Sequence, residues 1–137
     1  MLLLGITISA NSQTEYGETW NQFRGKNRTG ISQENLNGTE ATLIWKKEIG
    51  AGFSELLISD GRVYTMYSEK TDSVSGFDIL AAFDEKTGEV VWKLNADSIF
   101  IEIDGWGDGP RSTPAVDDLN IYWVSLELFL QCLLLQP

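Results

Sequence analysis

Any chemistry in this chain has to be done without imidazole. The sequence holds no histidine and a single cysteine, Cys132. Paired Cys and His zinc ligands, Ser-His-Asp or Cys-His couples and an internal disulfide therefore cannot be assembled from it. What is left is carboxylate chemistry, an oxygen-ligated cation, or an organic cofactor held by aromatic and polar side chains. One stretch collects suitable groups, Asp104-Gly105-Trp106-Gly107-Asp108-Gly109-Pro110-Arg111. Its glycines leave backbone donors free, while Trp106, Asp108 and Arg111 offer stacking and charge, which makes these three the candidate binding residues. Calcium needs several oxygen ligands at close spacing, and Asp104 and Asp108 are the loop's only carboxylates, so no metal ligand is assigned. An ordered structural loop with Arg111 paired to Asp108 accounts for the same residues. Arg24 and Arg28 read as surface or sheet-edge groups, and no catalytic residue is assigned.

These side chains must be positioned by elements that the remaining sequence specifies. With 137 residues and 42% hydrophobic content the chain can build one ordinary core. Twenty acidic against 10 basic residues give a net charge of −10, which disfavours a nucleic-acid face or an anionic membrane surface and suits a solvated one. Residues 1–12 carry no charge and end on Ala10-Asn11-Ser12, like the apolar region and cleavage site of a secretory signal, though the basic section that opens one is missing. An apolar first strand is the other reading of that segment, which is too short for a spanning helix.

From Glu15 to Asp118 β-branched and aromatic residues come in short runs broken by Gly, Asp and Asn, with no sustained helical period, so the expected class is all-β. Strands are predicted at 43–46, 56–59, 62–67, 79–83 and 89–94. Asp60-Gly61 is a two-residue hairpin signal, because both positions need positive φ. In Asp84-Glu85-Lys86-Thr87-Gly88 the Asp84 carboxylate can accept backbone N–H bonds and Gly88 can turn left-handed into the next strand. Two hairpins in series make a four-stranded antiparallel meander.

The pattern also repeats. A shift of 58 residues aligns Ser54 with Ser112, Leu57-Ile58 with Ala115-Val116, Asp60 with Asp118 and Val63-Tyr64 with Ile121-Tyr122. A shift of 47 aligns Ile44-Trp45-Lys46 with Val91-Trp92-Lys93.

The segment Ala82-Phe83-Asp84-Glu85-Lys86-Thr87-Gly88-Glu89-Val90-Val91-Trp92-Lys93 resembles the signature repeat of the pyrroloquinoline-quinone-type (PQQ-like) β-propeller proteins, a strand, an Asp turn ending in Thr-Gly, and a strand closing on Trp. Trp20-Asn21-Gln22-Phe23-Arg24-Gly25 with Arg28 to Ser32 is similar to the segment before the first blade in exported members. Gly105 to Pro114 is similar to a loop before a later blade in one branch. The resemblance implies blades that are four-stranded antiparallel meanders, about two of them and incomplete, over residues 13–122. It casts Trp45, Asp84, Thr87, Gly88 and Trp92 as structural repeat residues, the tryptophans wedging between blades. Beyond Tyr122 the family pattern would continue into another Asp-Thr-Gly-Trp unit. Residues 123–137 instead form an apolar tail with one charge, Glu127, and no turn signal. A shifted frame or truncated gene is the expected cause, a membrane-associated tail the alternative.

Function follows from the resemblance as an expectation. An exported, periplasmic or extracellular propeller without catalytic residues points to a non-catalytic binding or scaffold domain with a protein or carbohydrate partner, similar to outer-membrane assembly scaffolds built from this repeat. No cofactor, nucleic acid or membrane span is expected, and the rest of the propeller is needed for closure. The alternative is part of a quinone-dependent alcohol or sugar dehydrogenase, an oxidoreductase with PQQ and calcium. That branch uses an adjacent cysteine pair and Asn, Glu and Asp calcium ligands, none of which can be placed in this chain.

Overall fold

The computed structural model describes residues 19–34, 38 and 40–135. The expected signal segment lies outside the described residues. Those described are all-β with no helix, so none is long and apolar enough to cross a membrane. Seven strands follow in order, β1 (Leu57–Ser59), β2 (Arg62–Lys70), β3 (Gly76–Asp84), β4 (Val90–Ser98), β5 (Ala115–Val116), β6 (Asn120–Val124) and β7 (Leu130–Leu134). They form two antiparallel sheets that do not close on each other, β1-β2-β3-β4 and β5-β6-β7.

Local sequence explains each reversal. Asp60 and Gly61 join β1 to β2 with φ of 49° and 69°, the doubly left-handed geometry whose twist matches flanking strands. At the β3–β4 turn, Asp84 Oδ1 accepts the amides of Lys86 (3.0 Å) and Thr87 (2.8 Å) and the Thr87 hydroxyl (3.0 Å). Gly88 closes the turn at φ 69°, its N–H donating to Asp84 O at 2.9 Å. These bonds favour the ionised carboxyl and hold Asp84 below the usual carboxylate range, the Thr87 amide contributing most. The β5–β6 turn has no glycine. There the Asp117 carboxylate does the work, accepting the amides of Leu119 (2.9 Å) and Asn120 (2.6 Å).

The 58-residue repeat is present in the backbone. Leu57 pairs with Tyr64 and Ile58 with Val63, as Ala115 pairs with Tyr122 and Val116 with Ile121. Ser54 Oγ accepts the Met66 amide at 3.3 Å, and Ser112 Oγ donates to Val124 O at 2.8 Å, so equivalent serines hold equivalent strand positions. Adjacent residues of the N-terminal segment hook both copies. Trp20 exchanges two 2.8 Å backbone bonds with Ile58, while Asn21 O accepts Val116 N–H at 2.8 Å and Asn21 Nδ2 donates to Val116 O at 2.9 Å.

Alternation of side chains gives the first sheet two buried faces. Tyr64, Met66, Leu80 and Ala82 face the second sheet, where Val116, Ile121 and Trp123 meet them, with Trp92 partly buried at the edge. Val63, Tyr67, Ile79, Ala81 and Phe83 form the opposite face, covered in part by Trp45. The Trp45 indole lies against Gly88, and its Nε1 donates to Glu85 O at 2.8 Å.

Three expectations change. Residues 43–46 join no ladder. Leu43 and Ile44 are 79% and 78% exposed, because Trp45 has a dock on the first sheet and its neighbours have no partner strand among the described residues. Strands β2, β3 and β4 run longer than predicted, since polar ends such as Glu69-Lys70 and Asp97-Ser98 still pair with neighbours. The apolar stretch after Tyr122 contains a hairpin that its composition does not announce. Ser125 N–H donates to Phe129 O at 3.0 Å, and Leu128 takes φ 64° in place of a glycine. Register then puts Leu134, opposite Asn120, where Asp84 stands opposite Arg62.

Candidate functional site

The glycine-rich loop does not gather its three candidates at one point. Trp106 is 76% exposed. Asp108 forms a 2.6 Å ion pair with Lys70 rather than with Arg111, and accepts the Glu102 amide at 2.9 Å. Those two contacts, Lys70 first, hold its carboxyl below the usual range. Arg111 turns the other way. Its Nη2 meets Glu102 Oε2 at 3.3 Å and Gly107 O at 2.8 Å, and its guanidinium lies over the rings of Phe53 (4.1 Å) and Phe100 (5.2 Å). The expected Arg111–Asp108 pair is thus replaced: Asp108 pairs with Lys70 of β2, and Arg111 is held within its own loop by Glu102 and Gly107.

Arg111 also lines a cavity of about 340 Å³ between the two sheets. One wall is the first sheet, with Met66, Asp78 and Asp97. The other is the hairpin of the second, with Val124, Ser125, Leu126 and Leu128. The two carboxylates arise from a register irregularity. Ile79 pairs with Asn95 and Asp78 with Asp97, which leaves Ala96 bulged and sets the acids directly opposite each other. Side chains so placed lie on the same face, and like charges there repel.

The two acids are not equivalent. Asp97 is satisfied, its Oδ1 accepting Ser98 N–H at 2.7 Å and its Oδ2 accepting Leu126 N–H at 2.8 Å. Asp78 is only 3% exposed, and its Oδ1 has no hydrogen-bond partner. Burial, and secondarily the charge of Asp97, push its carboxyl up to about 6. Neither residue is marked by the motifs of the sequence. The available signal is a lone acid inside the apolar strand Phe77-Asp78-Ile79-Leu80, on the same face as the core residues Leu80 and Ala82.

A stability consequence follows from that carboxyl. The folded chain holds the Asp78 proton more tightly than the unfolded one, so this stabilisation is complete below the ordinary aspartate range and fades as pH rises through about 6. Between about pH 5 and about pH 7 the chain is expected to lose roughly 1 kcal/mol from this group. Urea titrations at the two pH values measure it. Asp78→Asn should flatten the slope, and an unchanged slope in that variant would assign it elsewhere.

No group of three or more potential metal-ligating side chains occurs among the described residues. The cavity offers two carboxylates, the Arg111 guanidinium, hydroxyls and apolar walls. No protein-family model, curated protein or solved structure matches the chain.

Proposed function

We propose that this chain is a section of an exported PQQ-like β-propeller protein whose role is non-catalytic binding, with a protein strand as its partner. The observation that carries the reading is the outer edge of the second sheet. The first sheet ends on β4, a strand delivered by the Asp84 to Gly88 turn, whereas the second ends on β7 with no neighbour on its far side among the described residues. Leu130 is 74% exposed on that strand, and Leu128 and Phe129 beside it are exposed as well. Open backbone donors and acceptors flanked by apolar side chains favour addition of an extended segment, where the ladder supplies affinity and side-chain pockets supply specificity.

Repetition supports the same reading. The two copies share register at a 58-residue shift, and β7 occupies the place of β3. The segment best suited to the edge then has the character of β4 and its turn, Asp-x-x-Thr-Gly followed by a strand with Trp. Trp45 on Gly88 supports it too, since that indole covers the face of the first sheet opposite the one on which Trp92 packs. An alternating stack of sheets with a tryptophan at each junction has this arrangement.

A fluorescent peptide with the sequence of residues 84–94 tests the reading. Saturable anisotropy change on adding the chain, absent for a scrambled peptide, is the expected result. Equal responses from the two peptides would sink it. Supplying PQQ, calcium, a primary alcohol and an artificial dye acceptor should give no dye reduction. Sustained turnover would replace the binding reading with a quinone-dependent dehydrogenase.

A further inference from the structure

The Asp78 cavity has the features of a binding site for a small organic cation. A buried carboxylate oxygen without a donor is costly, and a functional or ligand-binding role is one reason a protein keeps such a group. Here that oxygen belongs to Asp78, which lines the cavity, and the opposed Asp97 adds a second carboxylate. Asp97 already accepts two amides whereas Asp78 Oδ1 accepts none, so the unmet demand for a donor is at Asp78. The rest of the lining is chiefly apolar, with Met66, Phe100, Leu126 and Leu128.

We propose that this cavity binds a primary or secondary ammonium carried on a small apolar body, its N–H groups donating to Asp78 and its apolar part lying against Phe100, Leu126 and Leu128. Three features select that chemistry. A protonated amine brings both the donor that Asp78 Oδ1 lacks and a charge that relieves the repulsion between opposed acids. A volume of about 340 Å³ fits at the small end of ligand cavities and suits an aryl-alkyl or alkyl amine. A bare divalent cation is disfavoured, since two carboxylates with no third acidic ligand fall short of the six to eight oxygens calcium takes. Arg111, the one cation on the wall among the described residues, does not fill the role, because its guanidinium is tied to Glu102 and Gly107 and stacked on Phe53 and Phe100. The proposal does not depend on the propeller reading.

Isothermal titration of the full chain with phenethylammonium, near neutral pH, tests it. Saturable one-site binding is expected, at least about tenfold tighter than for the uncharged phenethyl alcohol. Asp78→Asn should weaken the ammonium by about tenfold or more and leave the alcohol unchanged, with a thermal midpoint equal to or above that of the parent showing that the variant folds. Leu126→Ala should weaken both probes. Equal binding of amine and alcohol, retention of amine affinity in Asp78→Asn, stoichiometric calcium binding that displaces the amine, or no saturable heat at all would each overturn the proposal.

Discussion

Gly88→Ala should destabilise the protein by roughly 2–4 kcal/mol, and most of that loss should vanish when Trp45 is already alanine. Two separate costs meet at this glycine. Its φ of 69° is left-handed, which costs an L-residue about 1 kcal/mol. A methyl there would also sit 2.7 Å from the Trp45 ring, which has to move off the sheet face it covers. Displacing the ring uncovers part of the Val63, Tyr67, Ile79, Ala81 and Phe83 face and breaks the bond from its Nε1 to Glu85 O. In a Trp45→Ala background the second cost is already spent, so Gly88→Ala should add only about 1 kcal/mol. Urea unfolding of the two single variants and the double variant measures the coupling. Additive effects would mean that Trp45 does not dock on this turn. The same pairing of an indole with a left-handed glycine occurs at Trp20 and Gly25, where an added Cβ would lie 2.8 Å from the ring.

Trp123→Ala should cost about 3–5 kcal/mol, whereas Trp123→Phe should stay within about 1 kcal/mol of the parent. The indole is buried between the sheets among Leu80, Ile121 and their neighbours, so truncation leaves a large void. Its Nε1 has no hydrogen-bond partner, so phenylalanine removes an unsatisfied buried donor while keeping most of the apolar contact. The pair of substitutions thus separates packing from hydrogen bonding. Chemical unfolding of both variants reads the difference. A Trp123→Ala protein as stable as the parent would show that β6 and β7 do not pack on the first sheet.

Much of the first sheet was legible in the residues. Asp60-Gly61 and the Asp84 to Gly88 turn are specified locally, by positive φ and by a carboxylate that caps amides within three residues. The 58-residue shift marks Ser54 and Ser112 as equivalent because each bonds the backbone of the equivalent residue in its own copy, Met66 and Val124. The stretch from Trp123 onward was not legible in this way. Its turn uses Leu128 at positive φ, a conformation no composition rule anticipates, and its strands exist because the first sheet presents an apolar face for Ile121, Trp123 and Leu133 to cover. Conversely, Leu43 to Lys46 has strand-forming residues and no strand, since β propensity is realised only beside a partner.

The candidate site divides along the same line. Composition alone excludes imidazole and paired-thiol chemistry, and the loop sequence alone marks Trp106, Asp108 and Arg111 as residues with binding potential. Which of them shares a site was decided by tertiary structure. Lys70 draws Asp108 away, Glu102 and two aromatic rings fix Arg111, and a single bulged residue, Ala96, brings Asp78 opposite Asp97 beneath the hairpin of the second sheet. Turns and strand tendencies are written over a few neighbouring residues. A cavity requires groups from strands far apart in sequence, and its electrostatics depend on burial, which exists only once the two sheets have met.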